Sequence, residues 1–276
     1  MLFRSVLNGT YGRFSKDPAT ATVPGFALGG EAGIGDRGFS LGESEVTLSA
    51  NIDHVLYGEL TVAYERGGEV GVEEAFIQST ALPYGLTAKA GRFFSGIGYM
   101  NDQHAHVWDF IDPALPYRVM LNGQYGDDGV QLKWLAPTDR FIEFGAEAFR
   151  GDRFPATATN RGQGAYAAYV HTGGDIGLSH SWLAGLSLLH TEADNRETAS
   201  DLFTGRSNTG IASLVWKWAP DGNPVERNLK LQGEYFYRRE NGLFNGLDYR
   251  GHQTGWYAQA VYQFMPQWKI GARYDQ

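Results

Sequence analysis

From Asn228 to Arg238 the chain alternates residue by residue. Leu229, Leu231, Gly233, Tyr235 and Tyr237 stand on one side, and Asn228, Lys230, Gln232, Glu234, Phe236 and Arg238 on the other. Only Phe236 is out of place. Because successive side chains of an extended backbone point to opposite faces, such a segment is a strand with one greasy and one wet side. The pattern recurs: Val46, Leu48, Ala50 and Ile52 against Glu45, Thr47, Ser49 and Asn51; Leu56, Gly58, Leu60, Val62 and Tyr64 against Tyr57, Glu59, Thr61, Ala63 and Glu65; Ile142, Phe144, Ala146 and Ala148 against Glu143, Gly145 and Glu147. Segments of about ten residues are what a tilted strand needs to cross a bilayer.

Carried along the chain, the pattern predicts about thirteen strands, near 2–14, 39–52, 55–65, 70–79, 86–94, 128–135, 140–150, 163–172, 178–190, 209–218, 228–239, 254–264 and 267–275. The connections tend to alternate in length. Short ones fall at 53, 82–85, 136–139, 173–175, 219–226 and 265–266, and long ones at 15–38, 95–127, 151–162, 191–208 and 240–253, with the short link at Arg66-Gly67-Gly68 breaking the parity. Periplasmic turns and extracellular loops of a barrel produce that parity, whereas a soluble sandwich has no reason to keep it. Tyr57, Tyr84, Trp134, Phe141, Trp182, Trp218, Phe264 and Trp268 cluster beside the short turns, as an interfacial girdle would. The fold expected is therefore all-β, an antiparallel up-and-down transmembrane β-barrel. An odd strand count leads to the further expectation that residues 1–276 are one incomplete barrel domain, truncated at its C-terminus.

Composition agrees and excludes much else. The chain holds 37 glycines with 16 Phe, 15 Tyr and 7 Trp, which suits strands, turns and girdles more than helices. No cysteine is present, so disulfides and thiolate chemistry are out. A net charge of −8 without a basic block argues against nucleic-acid partners. No run of 18 apolar residues exists for a transmembrane helix, and the first residues lack the apolar core of a signal peptide.

Two stretches resemble known proteins. Glu73-Glu74-Ala75-Phe76-Ile77-Gln78, followed by Leu86 to Phe93, resembles the strand pair before the long inward loop of phosphate-selective-porin-like barrels. Gly91 to Tyr99, Gln103 to Phe110 and Gly126 to Leu132 are similar to a family of proteobacterial outer-membrane proteins often labelled TonB-dependent or zinc-regulated receptors. The resemblance implies a barrel in the outer membrane of a Gram-negative bacterium, with the lipid bilayer and small solutes or ions as partners. A homo-oligomer is compatible with it.

The segment 95–127 is apolar for a loop of its length, so it is expected to fold into the lumen and narrow the pore. Its Asp102, His104, His106, Asp109 and Arg118, with Lys89, Arg92, Lys133, Glu143, Glu147, Lys230, Glu234 and Arg238 on the strands, are the expected pore-lining or constriction residues. Glu43, Glu45, Glu59 and Glu65 lie early in the chain and Lys217, Lys230, Arg238, Lys269 and Arg273 late, which suggests a field across the lumen. His104 and His106 share a face if extended and can present both imidazoles to one Zn²⁺ with Asp102 as third ligand; the alternative is histidines that hydrogen-bond within the loop, with no cofactor. At the constriction their charge would change as pH falls through about 6.5. Neither G-x-S-x-G, H-E-x-x-H nor a P-loop occurs, and Gly96 to Gly98 lacks the third glycine of a nucleotide loop, so no enzyme is expected. The function expected is a porin-like channel, with the barrel of an active uptake receptor and a soluble β-rich binding protein as alternatives.

Overall fold

The computed structural model describes residues 2–15, 22–26, 28–29, 35, 37–42, 44–64, 70–157, 163–198 and 201–276. Its main body is one antiparallel sheet of thirteen strands, each hydrogen-bonded to its neighbours in chain order. These are β1 (Leu2–Val6), β4 (Ser44–Asn51), β5 (Leu56–Tyr64), β6 (Val70–Ser79), β7 (Leu86–Phe94), β8 (Gly126–Leu135), β9 (Phe141–Phe149), β10 (Ala165–Ile176), β11 (His180–Thr198), β12 (Asp201–Trp218), β13 (Asn228–Phe244), β14 (Leu247–Met265) and β15 (Trp268–Asp275). β2 (Gly9–Gly12) and β3 (Gly38–Leu41) form a separate ribbon, so the first two expected strands, 2–14 and 39–52, each divide in two. Most of the expected loop at 15–38, the link at 66–68, and Glu43 and Glu65 lie outside the described residues.

The sheet is curled. Arg4 on the edge strand β1 bonds His106, and Arg273 on the other edge strand β15 bonds Asp112. Thirteen strands laid flat would place those edges roughly 58 Å apart at about 4.8 Å per strand. Six residues of chain span at most about 21 Å. One short stretch therefore reaches both edges only because the sheet has rolled up around it.

The two faces differ as the alternation requires. On β13, Leu231, Tyr235 and Tyr237 are 41%, 49% and 45% exposed, while Gln232, Glu234, Phe236 and Arg238 between them are buried. The outward side chains line up across strands. Trp182, Trp216, Leu231 and Ala260 form one row, Ala184, Leu214, Gly233 and Ala258 the next, then Leu186, Ala212, Tyr235 and Trp256, and then Leu188, Gly210, Tyr237 and Thr254. The row beyond, His190, Asn208, Arg239 and His252, is polar. An apolar outer band with Trp near the short turns and Tyr and Trp toward the other rim, around a wet interior, is the architecture of an outer-membrane barrel. Among the described residues no helix is long and apolar enough to cross a membrane.

Beyond the polar row β11 to β14 continue as paired strands of 17 to 19 residues. Residues 191–198 and 201–208 of one expected loop, and 240–253 of the other, are in fact ladder, the second closing at Asn245-Gly246 with both φ positive. Water lies on the outside of the sheet there, so the greasy face stops while the backbone pairing does not. Tyr57, expected in the girdle, instead faces inward and donates its hydroxyl to Glu59.

Candidate functional site

Residues 95–125 connect β7 to β8 and fill the inside of the curl. Asn101 closes the base: its amide donates to Ser95 O and Tyr125 O, each at 2.7 Å, and its carbonyl accepts from Tyr125 N at 2.7 Å. Ile97, Met100, Tyr117, Val119, Met120, Leu121 and Tyr125 are buried with Phe93, Phe149, Phe236 and Tyr257 from the strands. The segment holds a 3-10 turn at Ala105–Val107 and one α-helix, α1 (Leu115–Leu121), which the sequence reading did not anticipate. A proline in its first turn and Asn122 in the left-handed conformation before Gly123 were the available signals.

Two buried carboxylates on the wall hold its start. Glu147 on β9 accepts from Gly96 N at 2.9 Å, from Gln131 Nε2 at 2.6 Å and from the Ser95 hydroxyl. Glu234 on β13 accepts from Tyr99 N at 2.8 Å, from the Tyr117 hydroxyl at 3.0 Å and from the Tyr257 hydroxyl. Gly98 makes this approach possible: its φ is +67°, and a Cβ there would lie 2.3 Å from the Tyr117 hydroxyl and 2.7 Å from Glu234 Oε1. The Gly-Ile-Gly run thus lets backbone lie against two walls.

Further along, the segment matches the charge of whichever wall it meets. His104 and His106 face the acidic strands: His104 Nδ1 lies 3.2 Å from both Glu45 Oε2 and Glu73 Oε2, His104 Nε2 lies 2.9 Å from Glu74 Oε2, and His106 Nδ1 lies 3.1 Å from Glu45 Oε1. Asp109 and Asp112 face the basic strands, pairing with Lys230 at 2.9 Å and Arg273 at 2.8 Å. The expected segregation of acid and base along the chain is broken on the inner face by Glu147, Glu234 and Glu240, buried on the later strands.

Burial works against a charge on His104, yet its hydrogen bonds to Glu45, Glu73 and Glu74 outweigh that and push its pKa up to about 12. The charge change expected as pH falls through about 6.5 is therefore not a property of His104. Glu73 reaches it through a β-bulge. Thr61 pairs with Glu74 and Val62 with Val72, leaving Glu73 as the extra residue of β6, so that two consecutive glutamates point to one side. Asp102 is not in this group. Glu45, His104 and His106 offer ligand atoms within 4.8 Å of one another, as do Glu59, Glu74 and His104. Glu45, Glu73 and Glu74 were the missed partners, and only strand pairing brings them in.

The other expected residues divide. Lys89 lies inside with its ammonium 4.3 Å from the Phe76 ring centroid, Lys133 pairs with Glu143 at 3.3 Å, and Arg238 is buried with Gln253 and Met120 O as acceptors. Arg118 is half-buried on α1. Arg92 does not line the interior. It is on the outward side of β7, between inward Gly91 and Phe93, and pairs there with Asp128 at 2.7 Å. It belongs to the polar margin above the apolar band, where a wet face exists outside as well as inside.

No family model matches the chain. An uncharacterized protein of Aquifex aeolicus (strain VF5) is 32% identical over 263 residues, covering 87% of this chain and 54% of that protein. The chain thus spans about half the length of the curated relative it matches. Among solved structures, OmpT of Vibrio cholerae in a trimer form is 13% identical with a TM-score of 0.43, over 88% of this chain and 83% of that one. OprB of Pseudomonas putida is 11% identical with a TM-score of 0.41, over 84% of this chain and 82% of that one. Both are outer-membrane barrels in outline; likeness at this level carries no argument about activity. The expectation that the chain is not an enzyme does not stand. OmpT structures recur among the similar folds, and a fold shared so widely does not exclude catalysis. Nor does a missing linear motif, since strand pairing here assembles acids and imidazoles 30 to 61 positions apart.

Proposed function

We propose that the chain forms a porin-like passage for small solutes or ions through the outer membrane, narrowed by residues 95–125. The observation that carries this reading is the seating of the segment: it is bonded to Glu45, Glu147, Glu234 and Arg273, on strands all around the curl, and so lies across the interior. A passage constricted this way selects by the charges left on the wall and on the segment. Asp102 supports the reading: it is exposed within the curl, where the surrounding protein raises its pKa by desolvation against the opposing pull of His171, Lys133 and Lys89.

Conductance in a planar bilayer tests it. Deletion of 101–118 is expected to raise single-channel conductance, and Lys133→Glu to shift selectivity toward cations. Unchanged conductance after the deletion would place the segment outside the permeation path and end this reading.

A further inference from the structure

We propose that Glu45, His104 and His106 form a binding site for one divalent transition-metal ion of the Zn²⁺ class, with Glu73 and Glu74 orienting His104. The site stands on this geometry alone and does not depend on whether the barrel conducts.

The donor set is right for such an ion. Two imidazoles with carboxylate oxygens form a recurrent zinc set. Ligands about 2.1 Å from a tetrahedral ion are about 3.4 Å from one another. The separations here are close to that value: 3.1 Å between His106 Nδ1 and Glu45 Oε1, and 3.2 Å from His104 Nδ1 to Glu45 Oε2. Charge-assisted hydrogen bonds are usually tighter, about 2.7–2.9 Å. The one pair in the cluster that has that length, His104 Nε2 to Glu74 Oε2 at 2.9 Å, is the pair that would not touch the ion. A ligating imidazole commonly donates its far N–H to a carboxylate in this way.

Burial and charge point in the same direction. The Glu45 side chain is 2% exposed and the His106 side chain 10% exposed. Glu45, Glu59, Glu73 and Glu74 bring four negative charges, against Arg4, 2.8 Å from His106 Nε2, Lys89, which lies in the field of Glu74, and the protonated His104. When an ion displaces the His104 Nδ1 proton, two cations remain against four carboxylates, and a divalent ion supplies the difference. The β-bulge is the second structural sign. In regular pairing one of Glu73 and Glu74 would face outward, and the extra residue instead aims both at His104. Bulges are enriched where a side chain is re-aimed for a task.

Arg4 sets a condition. Its guanidinium can only donate, so His106 Nε2 accepts and the ring proton sits on Nδ1, the atom that must ligate. On binding, the His104 Nδ1 proton leaves to solvent, the His106 proton passes from Nδ1 to Nε2, and Arg4, on an edge strand, turns away to make room for it. The second triad, Glu59, Glu74 and His104, is the weaker arrangement because Glu59 is occupied by the Tyr57 hydroxyl.

The full chain, folded in detergent micelles, is titrated with Co²⁺ as a visible-absorption probe and then with Zn²⁺ as competitor. One Co²⁺ per chain is expected, with intense low-symmetry bands that Zn²⁺ abolishes. Glu45→Gln and His106→Ala are each expected to remove saturable binding, and Glu74→Gln to weaken it on the order of 10–100-fold. Arg4→Ala is expected to tighten it. Far-UV circular dichroism establishes that each variant is folded, and His106→Asn replaces any that is not. Absence of saturable binding by the parent overturns the proposal, as does binding that survives both Glu45→Gln and His106→Asn. Loss in Glu59→Gln with retention in Glu45→Gln moves the ion to the other triad and equally overturns the assignment.

Discussion

Arginine placed along the outer face should report depth. On β12 the outward apolar run is Trp218, Trp216, Leu214, Ala212 and Gly210, and on β13 it is Leu229, Leu231, Gly233, Tyr235 and Tyr237. Leu214 is therefore central in its strand, Leu231 one step from the centre of its own, and Leu229 two steps. Each step is two residues, about 6.7 Å along the strand, or about 5 Å of depth at a tilt near 40°. An arginine facing lipid costs about 2–4 kcal/mol at the midplane and about 0–1 near the edge of a band about 25 Å tall. Interpolation gives about 3 kcal/mol for Leu214→Arg, about 2 for Leu231→Arg and under about 1 for Leu229→Arg. Urea titrations of folding into phosphatidylcholine vesicles, followed by tryptophan fluorescence, measure all three. Equal costs, or a larger cost at Leu229 than at Leu214, would refute the outward facing and the row assignment together.

Arg196→Ala removes the 3.0 Å partner of buried Glu240, leaving it only Arg238 at 4.0 Å, and should destabilise the chain by about 3 kcal/mol in the same titrations. Gly98→Ala forces a Cβ into Tyr117 and Glu234 at a positive φ; a loss of about 1–3 kcal/mol is expected, with more conductance noise as the segment loosens. Glu234→Gln should disturb three donors at once, lowering stability by about 1–3 kcal/mol and raising conductance. Arg92→Ala, by contrast, is expected to leave ion selectivity unchanged, since its half-exposed pair with Asp128 lies outside the barrel.

The membrane-facing part of the fold was legible because a single physical demand acts on every second residue there. From Leu229 to Tyr237 lipid admits only apolar or small side chains while water wets the other face, and the structure has those faces as read. At His190, Asn208, Arg239 and His252 the demand ends, and the reading failed at the same place. Hydrogen-bonded ladder and irregular loop look alike in sequence once both faces are wet, so 240–253 was taken for a loop where β13 and β14 keep pairing. Arg92 failed for the same cause: near the rim a charged residue says that water is near, not on which side.

The site was legible on one strand of chain and hidden on the others. His104 and His106 announce themselves by spacing, but the acids they meet lie at Glu45, Glu73 and Glu74, and which inward acid stands opposite a given histidine is fixed by register. Register can be inferred from alternation where pairing is regular. At Glu73 it is not, and the residue that alternation assigns to the outer face is turned inward by one extra position in β6. A bulge places a charged side chain against the pattern of its own strand, and it persists only where inward contacts hold that side chain. The carboxylate of Glu73 finds His104 there, 3.2 Å away, so the break in the alternation is itself the mark that the sequence left of this cluster.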